Sequence, residues 1–323
     1  MPVQCELCPR ACILRRGESG DCRARINIDG KLVASTYGFP CALHNDPVEK
    51  KPVFHFLPGS STFSLATAGC NLHCKNCQNW EISQAAPESV DAYSVPPAEL
   101  IALAMQNKCK SLSYTYTDPV IFYEYVFDSA ELARKKGLKN IMVTAGYINK
   151  APFRELCGRI DVARIDLKAM SDKFYQDVCG ATLAPVLAAL EEARSTKLHI
   201  EVINLLIPTL NDSEKDIKSL ARWISSTLGP EIPLHFSRFF PNYRMRNLPA
   251  TSEETLLRAR QIAHAEGLQY VYIGNVSLPD AENTRCPACG ALLIRRIRYS
   301  VMENKIKNGK CYKCGKEIYG VWE

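Results

Sequence analysis

The chain has 323 residues and a mass of 36.1 kDa, with 46% hydrophobic and 23% charged residues. That is enough for one sizeable core or two modest domains, and it excludes a disordered or collagen-like chain. The formal charge is +6, from 40 Lys/Arg against 34 Asp/Glu. No apolar run approaches the roughly 20 residues that cross a bilayer. The opening MPVQCELCPRAC also lacks the basic, apolar, small-residue order of a secretory signal. A cytoplasmic protein without a membrane partner is expected.

Fifteen cysteines stand out, and a reducing compartment would keep them as thiols for metals rather than disulfides. Residues 1–45 form a Cys-rich metal-binding segment in which Cys5, Cys8, Cys12 and Cys22 can hold zinc or a second iron–sulfur cluster. Zinc is the preferred reading, because it would tie down a segment too small to fold alone. HNDPVEKKPVFHFLPGSS then reads as a linker. Its charges Asp46, Glu49, Lys50 and Lys51 form either a solvated run or part of a substrate entrance.

From there to about residue 276, β-rich runs alternate with helical patterns. The predicted strands are Thr62–Ala68, Ser111–Tyr116, Asn140–Thr144, Val162–Asp166, His199–Leu206, Leu234–Phe239 and Tyr270–Gly274. Helical segments such as PPAELIALAMQNK, PVLAALEEARSTK and SEETLLRARQIAHAEG lie between them. Gly137, Gly229 and Gly267 stop helices, and Asp212-Ser213 and Thr251-Ser252 start them. Strand–helix alternation implies parallel strands joined by crossovers. Six or seven units fall short of the eight of a full TIM barrel. The expected fold is α/β, an incomplete, open TIM-type barrel over residues 46–282, with its chemistry at the C-terminal strand ends.

The first of these strands runs into ATAGCNLHCKNCQNW. Cys70, Cys74 and Cys77 supply three thiolates from one loop, and three ligands on a four-iron cube leave one iron open. The alternative is zinc completed by His73. Cys41, Cys109, Cys157 and Cys179 stand apart and read as small buried hydrophobes. Residues 283–323 close the chain with Cys286-Pro-Ala-Cys289-Gly and Cys311-Tyr-Lys-Cys314-Gly around a hairpin pattern, a zinc-ribbon signal with rubredoxin-like iron as the alternative. From Thr284 onward, nine Lys/Arg meet three Asp/Glu. Thiolate-bound metals would cancel most of this excess, leaving the chain at about +1, so nucleic acid is not an expected partner.

The CxxxCxxC loop after a strand resembles the signature of the radical S-adenosylmethionine (radical SAM) superfamily. Over nearly the whole chain, CxLCPRxC, DPVEKKPVFHFLPGS, SYTYTDPVIFYEY and the closing ribbon resemble its AmmeMemoRadiSam-system family, in the pyruvate formate-lyase activase-like branch. The resemblance implies a barrel of the radical SAM type. It also implies that the open iron of a [4Fe–4S] cluster chelates S-adenosylmethionine. Reductive cleavage would then yield a 5′-deoxyadenosyl radical that abstracts hydrogen. It further implies that Thr117-Asp118 grips the cofactor's ammonium group, and that Asp166 and Lys168 address its ribose and carboxylate. Asn204 becomes a candidate ribose contact, or else a buried amide serving the sheet, and His235 would lie near the cofactor. Asn76 stands where the family has an aromatic residue, with Trp80 as a substitute face, and Thr144-Ala145-Gly146 stands where relatives have TNG.

Ferredoxin or flavodoxin becomes the expected electron donor. Memo-like and AMMECR-like proteins become implied partners, and the substrate, which the resemblance does not name, can itself be a protein. Three alternatives stand beside this reading: a glycyl-radical activating enzyme, an RNA-modifying enzyme, and a non-enzymatic iron–sulfur electron carrier.

Overall fold

Alternation within the strands builds the sheet. In the computed structural model, which describes residues 1–323, eight strands form one open sheet in sequence order. They are β1 (Ala42–Pro47), β2 (Ser61–Ala66), β3 (Ser111–Tyr114), β4 (Lys139–Thr144), β5 (Val162–Asp166), β6 (His199–Leu206), β7 (Leu234–Arg238) and β8 (Val271–Gly274). β1 pairs antiparallel with β2, and every later pair is parallel. Helices cover the crossovers: α1 (Pro97–Gln106), α2 (Tyr123–Lys135), α3 (Lys150–Cys157), α4 (Ala184–Ser195), α5 (Glu214–Trp223) and α6 (Glu253–Ala265). This is the expected incomplete β/α barrel. Two expected caps are present, since Ser213 accepts from Asp216 N–H at 3.2 Å and Ser252 from Thr255 N–H at 3.1 Å.

The two faces of the sheet differ in chemistry. Phe63, Leu65, Leu112, Tyr114, Ile165, Val202 and Phe236 pack beneath the helices in one core. By period-two alternation, Thr62, Ser64, Ser111, Ser113, Arg164, Asp166, Glu201 and His235 lie on the opposite, interior face. Parallel strands covered on both faces are normally apolar throughout. The polar interior therefore marks a place built for a polar occupant rather than a filled core.

The segment read as a linker is instead part of the barrel. Residues 42–47 are the edge strand, and Val48, Val53 and Phe56 pack with Ile141 and Val162 inside it. Asp46, Glu49 and Lys51 are buried with partners while Lys50 stays exposed: Asp46 accepts from Lys50 at 2.8 Å and Lys51 at 2.6 Å, and Glu49 lies 3.6 Å from Arg296. The C-terminal hairpin, β9 (Leu292–Ile297) and β10 (Ser300–Asn304), docks here as well. Arg296 donates to the Phe54 carbonyl at 2.6 Å, Leu57 N–H donates to the Val321 carbonyl and Val321 N–H to the His55 carbonyl, both at 2.7 Å. No helix is long and apolar enough to cross a membrane.

Candidate metal and cofactor site

The loop that follows β2 depends on glycine. Gly69 has φ +97°, and a Cβ there would collide with the Cys22 carbonyl, so the loop and the N-terminal segment meet backbone to backbone. His73 N–H and Lys75 N–H donate to the Cys179 and Val178 carbonyls, both at 2.9 Å, strapping the loop to the turn before α4. Cys70, Cys74 and Cys77 are half-buried, and Cys77 Sγ lies 3.2 Å from Ser83 Oγ. A bond from Cys179 brings the Cys74 thiol down to about 7, aided by the Lys168 charge, whereas burial pushes Cys70 and Cys77 up. Cys179 is thus buried as expected, and it also tunes its neighbour.

The three sulfurs are not all within 4.8 Å of one another, the closeness that a single ion would impose. His73 is not free to complete a zinc site, because its ring nitrogens meet Asp21 at 2.8 Å and Gln84 at 3.0 Å. Buried Asn76 Oδ1 and Thr67 Oγ1 have no hydrogen-bond partner. Three thiolates with unsatisfied polar atoms beside them fit a cluster and a polar ligand on it better than a closed ion. Trp80 does not turn to the loop as a free aromatic face: it stacks on Tyr243, with centroids 5.1 Å apart.

The strand ends bring some of the expected residues to this loop. Thr117 Oγ1 donates to the Thr67 carbonyl at 2.9 Å, tying the end of β3 to the end of β2. Asp118 is buried rather than solvated. It accepts from Val120 N–H at 3.1 Å, Ala145 N–H at 2.8 Å and Thr144 Oγ1 at 2.9 Å. Burial raises its pKa against those bonds. Thr144-Ala145-Gly146 therefore orients Asp118. Asp166 accepts from Arg164 and, at 3.0 Å, from Lys168. Burial works against its charge, but the two cations hold it below the usual carboxylate range. Lys168 in turn feels the sulfurs of Cys74 and Cys179 as well as Asp166.

Asn204 and His235 both find structural partners within the protein. Asn204 faces the helix side, in step with Val202 and Leu206, and donates to the Leu167 and Lys168 carbonyls at 2.8 and 3.1 Å. It braces the loop that carries Lys168. His235 Nε2 lies 2.6 Å from Glu201. That buried carboxylate also meets His199 at 3.0 Å and the backbone N–H groups of Phe54 and His55. Glu201 needed several partners once buried, and His235 is one of them.

Sequence reasoning did not single out Arg164 and Tyr116, which complete the polar interior. Tyr116, with φ +64°, donates to Asp46, and Lys51 Nζ stands 4.8 Å from its ring centroid. Burial lowers Lys51 to about 8. Arg164 Nε and Ser64 Oγ are buried without partners. The only available signal was polar residues at alternate positions of strands that otherwise read as apolar.

In the ribbon, Cys286, Cys289, Cys311 and Cys314 have all four sulfurs within 4.8 Å of one another. Cys286 lies 3.5 Å from Cys314, and Cys289 lies 3.8 Å from Cys311. Tetrahedral zinc with Zn–S near 2.3 Å requires edges of about 3.8 Å, so this is a closed single-ion site.

The radical SAM superfamily pattern matches residues 64–224, which include the three-thiolate loop. An uncharacterised protein of Methanocaldococcus jannaschii is 44% identical over 318 residues, covering 98% of this chain and 95% of its own. The pyruvate formate-lyase-activating enzyme of Clostridium pasteurianum is 20% identical over 205 residues, 58% of this chain and 83% of that enzyme. A radical SAM methyltransferase from Sphaerobacter thermophilus, 16% identical, shares the fold with a TM-score of 0.53 over 73% of this chain and 71% of its own. With its loop, barrel and matching pattern in agreement, the chain belongs to the radical SAM superfamily, and it is similar at 20–23% identity to the activating enzymes of pyruvate formate-lyase and benzylsuccinate synthase.

Proposed function

We propose that the chain reductively cleaves S-adenosylmethionine and abstracts hydrogen from a polar substrate held in the barrel interior. Cys70, Cys74 and Cys77 would hold the [4Fe–4S] cluster that the superfamily implies, leaving one iron for the cofactor. When bound, cluster and cofactor supply a one-electron cleavage and a 5′-deoxyadenosyl radical. The chain's own residues orient the participants: Lys168, set by Asp166, offers a cation to the cofactor carboxylate, and Asp118, set by Thr144, presents an anion near the loop. The observation that carries this reading is the nearness of the three thiolates to Asp118 and the Asp166–Lys168 pair, above an interior in which Arg164 Nε and Ser64 Oγ lack partners.

The interior also offers a place for substrate. Lys51 and Arg164 face it beside Asp46 and Tyr116, and orphaned Arg164 Nε and Ser64 Oγ invite polar groups. The ribbon would hold zinc. A ferredoxin- or flavodoxin-type protein would supply electrons, and Memo-like and AMMECR-like proteins are the proposed partners, one of them a candidate protein substrate.

The test is anaerobic reconstitution followed by assay for 5′-deoxyadenosine with reductant and S-adenosylmethionine. The wild type should form it, and Cys74→Ala should reduce it to background. Persistent formation in that variant would remove Cys74 from the ligand set. A second reading, activation of a glycyl-radical partner, is favoured by the similarity to the Clostridium pasteurianum enzyme. A glycyl-radical signal on a partner protein would select it.

A further inference from the structure

A second quartet of thiolates lies directly against the central loop, and its dimensions differ from those of the ribbon. Cys5, Cys8, Cys12 and Cys22 come from one short segment, folded back by Cys5 N–H on the Cys12 carbonyl at 2.8 Å and Ala11 N–H on the Cys8 carbonyl at 3.1 Å. All four line one cavity, walled further by Leu7, Leu14, Val120 and Ile121. No three of their sulfurs lie within 4.8 Å of one another, whereas the ribbon's four all do. Gly20 borders the chamber: a Cβ there would make ordinary contacts, 3.7 Å from Cys12 Sγ and 3.8 Å from Cys22 Sγ.

Size decides between the candidate occupants. Zinc pulls four sulfurs to a tetrahedron with edges of about 3.8 Å. A cube of iron and sulfide binds each cysteine at a separate corner and keeps the sulfurs wider apart. A wide quartet around an apolar hole matches the cube and not the ion. Charge does not separate the two, since four thiolates leave either Zn²⁺ or a [4Fe–4S]²⁺ core at about −2, beside Arg10 and Arg25 in the same cavity. This geometry favours a different occupant from the zinc preferred as a tie for a segment too small to fold alone.

We propose that Cys5, Cys8, Cys12 and Cys22 hold a second, fully ligated [4Fe–4S] cluster that passes single electrons to the open-iron cluster. This rests on the reading that the Cys70 loop holds a cluster. The path between the two is short. The Cys22 carbonyl packs on Gly69, and Asn71, next to Cys70, lines the N-terminal chamber while receiving Arg10 Nε at 3.1 Å on its carbonyl. In the transfer the N-terminal cluster goes from the +1 to the +2 state as the open-iron cluster goes from +2 to +1. No proton moves, and a low-potential one-electron donor protein restores the first state.

The experiment counts metals in the full chain, purified and reconstituted without oxygen. The wild type should hold about eight iron, about eight sulfide and about one zinc. After dithionite, electron paramagnetic resonance should show up to about two reduced-cluster spins per chain. The variant C70A/C74A/C77A should keep about four iron and about one spin. C5S/C8S should lose about half of the iron while zinc is unchanged. Wild type with about four iron and two zinc, the iron lost in the triple variant, would overturn this proposal and leave the Cys70 reading intact. Iron that survives the triple variant in full, with none lost in C5S/C8S, would overturn both. Should C5S/C8S fail to fold, the wild-type and triple-variant counts still decide.

Discussion

The chain carries the same donor set, four cysteine thiolates, in its first 22 residues and again in its last 40, yet the two regions differ in geometry and in what they touch. The C-terminal quartet is drawn to 3.5 and 3.8 Å across its pairs and sits on a hairpin docked through Arg296 and Val321 onto the 53–57 segment. The N-terminal quartet is spread around a cavity and touches the three-thiolate loop at Gly69. Ligand type alone therefore does not specify a metal site. Under the proposal above, the spacing that the backbone imposes would select the ion or cluster, and the neighbour would determine whether the site serves stability or electron traffic.

The largest effect that would sharpen this contrast comes from removing the ribbon's ligands. In small zinc modules metal binding supplies folding free energy on the order of 10 kcal/mol. The pair Cys286→Ser and Cys289→Ser should abolish zinc binding and unfold residues 283–323, read by zinc analysis and limited proteolysis, while iron content stays at the wild-type level. A ribbon that resists protease without zinc would break the comparison. Next comes the joint beneath it. Arg296→Ala leaves the buried Glu49 carboxylate without its cation and removes the bond to Phe54, so denaturant unfolding should show a loss of about 3–5 kcal/mol. A loss under 1 kcal/mol would mean that the ribbon does not brace the barrel.

The same joint predicts acid sensitivity. His55 is fully buried, with Nδ1 2.5 Å from the Tyr319 carbonyl and Nε2 2.6 Å from Tyr272 Oη. Burial lowers its pKa from 6.5 to about 3, so it stays neutral in the fold while the unfolded chain takes up a proton. Its contribution is complete above pH 6.5 and is lost progressively as pH falls towards 3, by roughly 4–5 kcal/mol. Unfolding curves of wild type and His55→Gln across that range should converge as pH falls; parallel curves would assign the acid effect elsewhere. The smallest effect belongs to the N-terminal joint. Gly69→Ala must displace the Cys22 backbone at a cost of about 1–3 kcal/mol. Hydrogen exchange should quicken over residues 5–25 and leave the ribbon unchanged.

How much of this was legible beforehand follows from the range of the interactions concerned. All seven parallel strands and both serine caps were visible, because strand alternation and capping are local. The helix Lys150–Cys157 was not singled out in the sequence. The edge strand Ala42–Pro47 read as linker because His44, Asn45, Asp46 and Pro47 are poor strand formers. Pairing with β2 and burial of Asp46 between two lysines override that preference. Asp118, Asp166 and Lys168 were found through motif position, and the structure brings all three to the loop. His235 was not distinguishable from a structural histidine, since nothing local connects it to Glu201, 34 residues away.

By itself the sequence determined the fold class, the three cysteine groups and the chemistry that three thiolates after a strand make available, because these depend on period, spacing and side-chain type. Tertiary structure alone decided the spread of each set of sulfurs, the polar lining of the barrel interior and the burial of the 46–56 segment. Those depend on distances between residues far apart in the chain, and in a close-packed interior only the folded backbone sets such distances.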